Sequence, residues 1–186
     1  MRGPPLVLLV LTYFRIVAVP VVMGLILLGP DEDSAYTAAA VLFALAAGTD
    51  FLDGFLARRW AVTTTLGSFL DTTADKLLVS GALVALVAVD RASAWIAIII
   101  IGRELVILGL RGVVAADGTV FAPSLAGKLK ANVQFVAIFL AIVRWDVSLG
   151  PLLLDEWAML AAAVITVLSA VEYLARFSSA LTGARS

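Results

Sequence analysis

Cysteine and histidine are both absent from this 186-residue chain. Without cysteine there can be no disulfide scaffold, thiolate metal site or thiol catalysis. Without histidine, the usual general base near neutral pH and the commonest transition-metal ligand are missing. Charge is scarce too: Asp, Glu, Lys and Arg make up 15% of the chain, against about 25% in a typical soluble domain. The 13 basic and 14 acidic residues leave a net charge of −1, which argues against a strongly basic nucleic-acid binder and predicts no nucleic-acid partner. Any chemistry must use carboxylates, hydroxyls and cationic side chains. What is abundant is apolar: 62% of residues are hydrophobic and the mean hydropathy is +1.08, where soluble domains sit near about 45–50% apolar. The composition is that of a membrane protein.

A helix crossing a bilayer needs about 20 mostly apolar residues. Six runs qualify: Leu6–Leu28, Tyr36–Arg58, Leu66–Val89, Ala92–Ala116, Leu125–Arg144 and Trp157–Leu174. They are too long and continuous for barrel strands, which alternate over segments of about 10 residues. The first run continues past an ordinary signal-peptide core and is expected to remain as a span. The expected fold is therefore all-α and integral to the membrane, with six transmembrane helices in a single domain over residues 1–186. One side collects Arg2, Arg58, Arg59, Arg111, Lys128, Lys130, Arg176 and Arg185, while the other holds Arg91, Arg144 and the acidic groups Asp31–Asp33 and Asp155-Glu156. By the positive-inside bias both termini are cytoplasmic. Arg15, Lys76 and Arg103 fall inside spans and need another explanation.

Ionisable groups inside a span cost at least about 2.5–3.5 kcal/mol each and usually serve a function. The second and third runs hold four carboxylates: Asp50 and Asp53, three apart, and Asp71 and Asp75, four apart, so each pair shares a helix face. In an antiparallel hairpin, Asp50 comes level with Asp75 and Asp53 with Asp71. The cluster is expected about 12–15 Å in from the cytoplasmic helix ends. Four neighbouring anions cannot all stay ionised without cations. Oxygen-only ligands favour Mg2+, Mn2+ or Ca2+. Two divalent ions would balance four carboxylates, and a two-metal clamp suits displacement at phosphorus. Two other readings of the same residues stand beside this one. The acids could be satisfied by Lys76, Arg58 and Arg59, or they could line a cation or proton transport path.

These positions read Asp50-x2-Asp53-Gly54-x2-Ala57-Arg58-x8-Gly67-x3-Asp71-x3-Asp75. The string resembles the defining motif of the CDP-alcohol phosphotransferases, six-span membrane enzymes that transfer a phosphatidyl or similar group from a CDP-linked donor to an alcohol and release CMP. The resemblance implies that Asp50, Asp53, Asp71 and Asp75 hold two divalent cations, Mg2+ or Mn2+, and that Asp75 is also the general base. It implies a donor site for CDP-diacylglycerol at Asp53, Gly54, Ala57, Arg58, Thr64 and Gly67. There Gly54 and Ala57 leave room for close approach, and Arg58 can bridge pyrophosphate oxygens. It also implies a homodimer among membrane lipids in the cell (inner) membrane, with the active site facing the cytoplasm.

The stretches Leu11–Ile16, Thr49–Arg59, Arg103-Glu104-Leu105-x5-Arg111, Gly127-Lys128-Leu129-Lys130 and Gln134 are similar to the bacterial phosphatidylglycerolphosphate synthases of that family. That likeness implies glycerol 3-phosphate as acceptor, its phosphate held by Arg103, Arg111, Lys128 and Lys130. A cardiolipin synthase of the same superfamily, accepting phosphatidylglycerol, is the related alternative.

Overall fold

Among the described residues, six long runs with few breakers become six helices. The computed structural model describes the backbone of residues 6–60, 65–116 and 125–183, and the side chains within them except at 6, 50–66, 68, 114–116, 125–126, 128 and 179–183. The helices are α1 (Leu6–Leu28), α2 (Asp33–Trp60), α3 (Thr65–Ala88), α4 (Ala94–Ala116), α5 (Leu125–Val143) and α6 (Leu154–Gly183). Between α5 and α6 lies a two-residue hairpin, β1 (Ser148–Leu149) and β2 (Leu152–Leu153), with Ser148 opposite Leu153 and Leu149 opposite Leu152. Gly150 supplies the left-handed turn residue, φ 71°, ahead of Pro151.

Helix ends are set by local chemistry. α3 closes on a Schellman cap, in which Asp90 adopts φ 55° and the Arg91 N–H donates back to the Leu86 carbonyl at 2.9 Å. Arg91 then lays its guanidinium 3.3 Å over the Tyr36 ring and donates to the Ile142 carbonyl at 2.6 Å, tying three helices together. At the start of α6, Glu156 reaches back to accept from the Leu153 N–H at 2.8 Å, half of a capping box.

α1 packs along both α2 and α3, α6 packs on α4 and α5, and contacts of α2 and α3 with α5 join the two groups. Small residues let the helices approach: Ala39, Ala46, Ala74, Ala137, Ala141 and Ala162 are fully buried. Where α1 meets α3, a Cβ on Gly81 would lie 2.9 Å from the Met23 sulfur. The Tyr36 ring fills the place a side chain on Gly29 would need.

The outside is apolar as well. Val17, Phe69, Trp95, Ile98, Leu105 and Leu168 are exposed on four different helices. Among the described residues, two helices are long and apolar enough to cross a membrane by length and composition, over Val7–Leu28 and Leu154–Ser178. α3 and α4 each interrupt their apolar runs with three charged residues, Asp71, Asp75 and Lys76 on one and Arg103, Glu104 and Arg111 on the other. Those six residues lead to the site.

Candidate active site

Asp71 and Asp75 stand one turn apart on α3, both partly accessible. Opposite them α1 contributes Arg15, whose side chain is 0% exposed. Its Nη1 donates to Asp71 Oδ1 at 2.8 Å, its Nε to the Ala46 carbonyl and Thr49 Oγ1 at 3.3 Å, and its Nη2 to Thr49 Oγ1 at 3.2 Å. A planar guanidinium suits this position because its donors point in several fixed directions at once. Arg15 thus ties Asp71 to α2 immediately before Asp50. Thr49 is itself anchored by donating to the Ala46 carbonyl at 2.6 Å.

On the other flank of α3, Lys76 bridges two carboxylates. Its Nζ lies 3.1 Å from Asp75 Oδ2 and 2.6 Å from Glu104 Oε2. Glu104, buried on α4, also receives Lys130 from α5 on Oε1, and Arg103 Nη1 at 3.4 Å on the same oxygen. Arg103 Nη2 donates to Ser169 Oγ on α6 at 3.0 Å. Nearby, Gln134 of α5 donates to Thr166 Oγ1 of α6 at 2.8 Å, so the polar seam between these helices is hydrogen-bonded rather than merely packed.

These groups wall a cavity of about 240 Å³ lined by Thr72, Lys76, Arg103, Glu104, Arg111, Gly127 and Lys130, with Ile107, Leu108 and Ala131 as its apolar part. Arg111 is exposed, its guanidinium 5.6 Å from the centre of the Tyr173 ring. Four cations and one carboxylate line the cavity, a balance suited to an anionic guest. Among the described residues, the buried Arg103 Nε has no hydrogen-bond partner, a donor that a guest oxygen could satisfy.

Of the residues singled out in the sequence, Arg103, Arg111 and Lys130 therefore meet at one cavity, next to Asp75 through Lys76. Gly67 lies in the first turn of α3. The side chains of Asp50, Asp53, Gly54, Ala57, Arg58 and Lys128, and all of Thr64, lie outside the described residues; Asp50 to Arg58 belong to α2 by backbone. Two participants went unassigned in the sequence. Arg15 was visible only as a charge in a span, and Glu104 only as a neighbour of Arg103. Both carried the signal that matters, an ionisable group within a long apolar run, but most of their partners lie on other helices.

The donor chemistry suits a hard divalent cation. Asp71 and Asp75 offer only oxygen, and the chain contains no softer ligand from cysteine or histidine.

Comparison with known proteins gives a consistent result. The family model described as CDP-alcohol phosphatidyltransferase matches residues 9–168. The CDP-diacylglycerol–glycerol-3-phosphate 3-phosphatidyltransferase of Bacillus subtilis (strain 168) is 39% identical over 183 residues, covering 92% of this chain and 94% of the relative. The protein of the same name from Escherichia coli (strain K12) is 41% identical over 173 residues, covering 88% and 90%. That of Shigella flexneri is 40% identical over 169 residues, with the same coverage. A match over most of the chain, together with the α3 carboxylates beside a cationic cavity, leads to one conclusion: this chain belongs to the CDP-alcohol phosphatidyltransferase family.

Proposed function

We infer that the chain transfers a phosphatidyl group from CDP-diacylglycerol to glycerol 3-phosphate, giving phosphatidylglycerol phosphate and CMP. The observation that carries this is 41% identity across 88% of the chain to an enzyme named for that reaction. The cavity supports it, because four cations against one carboxylate suit a phosphomonoester dianion better than an uncharged polyol.

In this reading the chain is one membrane domain over residues 1–186, with six spans, both termini cytoplasmic and the site opening to the cytoplasm of the cell (inner) membrane. It works as a homodimer. Asp50, Asp53, Asp71 and Asp75 hold two divalent cations, Mg2+ or Mn2+, which when bound supply positive charge against the donor pyrophosphate. Gly54, Ala57, Arg58, Thr64 and Gly67 form the donor side with Asp53. Arg103, Arg111, Lys128 and Lys130 hold the acceptor phosphate, and Asp75 takes the proton from its sn-1 hydroxyl. The freed oxygen attacks the β-phosphorus, the bond to the CMP oxygen breaks, and CMP departs with that electron pair. Arg15 keeps Asp71 fixed and Lys76 holds Asp75 toward the acceptor cavity throughout.

The test is an acceptor panel with purified protein and CDP-diacylglycerol. Glycerol 3-phosphate should release CMP and yield phosphatidylglycerol phosphate, and a chelator should stop turnover until Mg2+ or Mn2+ is restored. Cardiolipin formed from phosphatidylglycerol, with no use of glycerol 3-phosphate, would overturn the acceptor. Undiminished turnover under chelation would overturn the metal reading. Ion flux in liposomes without CMP release would point to transport.

A further inference from the structure

We propose that Glu104 is a positioning residue for the acceptor: one buried carboxylate draws Lys76, Arg103 and Lys130 from three helices onto one wall of the cavity. The proposal rests on the reading of glycerol 3-phosphate as acceptor. Glu104 is 3% exposed, and its two oxygens divide their work. Oε1 takes Lys130 of α5 and Arg103 of its own helix, and Oε2 takes Lys76 of α3.

A single ion pair would have been enough to offset the burial of one acid, and a buried pair is weak grounds for stability in any case. Here one acid collects three bases, which leaves the cluster with cationic excess facing the cavity. Such an excess is costly unless an anion is meant to arrive. Glu104 thus keeps long, flexible side chains in register for a guest. Without it, Lys130 would lose its anchor and Lys76 would keep only Asp75, and the entropy of ordering these side chains toward the cavity would fall on acceptor binding.

A second consequence concerns Lys76, which stands between Glu104 and Asp75. The pull of Glu104 keeps the ammonium shared instead of seated wholly on Asp75. Glu104 therefore sets the spacing between the acceptor wall and the carboxylate assigned as base. It makes no contact with the reacting atoms itself.

The experiment compares wild type, Glu104→Asp and Glu104→Gln in detergent, measuring KM for each substrate, kcat and melting temperature. Glu104→Asp keeps the buried charge and shortens its reach by one methylene. It is expected to melt close to wild type while raising KM for glycerol 3-phosphate about tenfold, the loss of one charge-assisted hydrogen bond. KM for CDP-diacylglycerol should stay within about twofold, the ordinary scatter of a residue that does not touch it. Glu104→Gln should raise the acceptor KM further and lower kcat as Lys76 settles on Asp75. Wild-type KM values in both variants, an equal rise for donor and acceptor, or failure of both variants to fold would each overturn the positioning role. Wild type that turns over another alcohol and ignores glycerol 3-phosphate would instead sink the acceptor reading, and this proposal with it.

Discussion

A guanidinium with no access to solvent has to find acceptors on several sides, and Arg15 finds them on two other helices. Its contact with Asp71 makes it more than a packing residue, because it holds one of the four acids in a fixed direction. Lysine at this position would keep the charge but could not span Asp71, Thr49 and Ala46 together. Arg15→Lys is therefore expected to lower kcat by about tenfold or more, the scale of one lost charge-assisted hydrogen bond. It should also raise the Mg2+ concentration needed for half-maximal turnover. A metal titration of both proteins checks this, and an unchanged midpoint would reduce Arg15 to a role in folding. At the residue scale, the sequence made the acids legible and left their supports obscure. Asp71 and Asp75 announce themselves by spacing on one helix. Arg15 lies 56 positions from Asp71, and no local pattern connects residues that far apart.

Between helices, the cations expected to bind the acceptor phosphate do not all stand in the same condition. Lys130 is buried and already engaged with Glu104, whereas Arg111 is exposed at the mouth over Tyr173. Arg111→Ala should then raise the acceptor KM by about 10- to 150-fold, the range for losing a hydrogen bond to a charged group, with little change in melting temperature. Lys130→Ala should raise it comparably and also cost about 1–3 kcal/mol of stability, since Glu104 loses a partner in a buried place. Paired kinetic and thermal measurements separate the two. Equal effects on donor and acceptor KM would remove both residues from an acceptor pocket. The elements themselves were largely legible, because length and apolar run define a helix without reference to neighbours. Their ends were less so. α2 begins at Asp33, ahead of the apolar run at Tyr36, since an acid in the first turn suits the helix dipole although it breaks the hydropathy signal. α6 runs on to Gly183, beyond Leu174, through a polar stretch that includes the Glu172–Arg176 pair one turn apart, at 2.5 Å.

For the molecule as a whole, hydropathy says how many helices there are and little about how they pack. Helices apolar on every side carry no stripe to mark the inward face. The hairpin of α2 and α3 follows from their short connection, but the placement of α1 along both is set by Arg15 and by small residues such as Ala46 and Gly81, which permit close approach. Orientation across the bilayer was read from basic residues alone, and the absence of native cysteine allows a direct check. Ser34, Ser93 and Ser178 are exposed at helix ends and in a connection, so cysteine placed there should be tolerated. With both termini cytoplasmic and six spans, positions 34 and 93 face outward and position 178 faces inward. A membrane-impermeant maleimide should label Ser34→Cys and Ser93→Cys in intact cells, and Ser178→Cys only after lysis. The opposite pattern would invert the topology and put the aspartates near the outer surface. Labelling of positions 34 and 93 from opposite sides would break the six-span count. The orientation also bears on chemistry, because the four acids lie toward the ends of α2 and α3 nearest their connection. They can meet a water-soluble phosphate from the cytoplasm only if that connection lies on the cytoplasmic side.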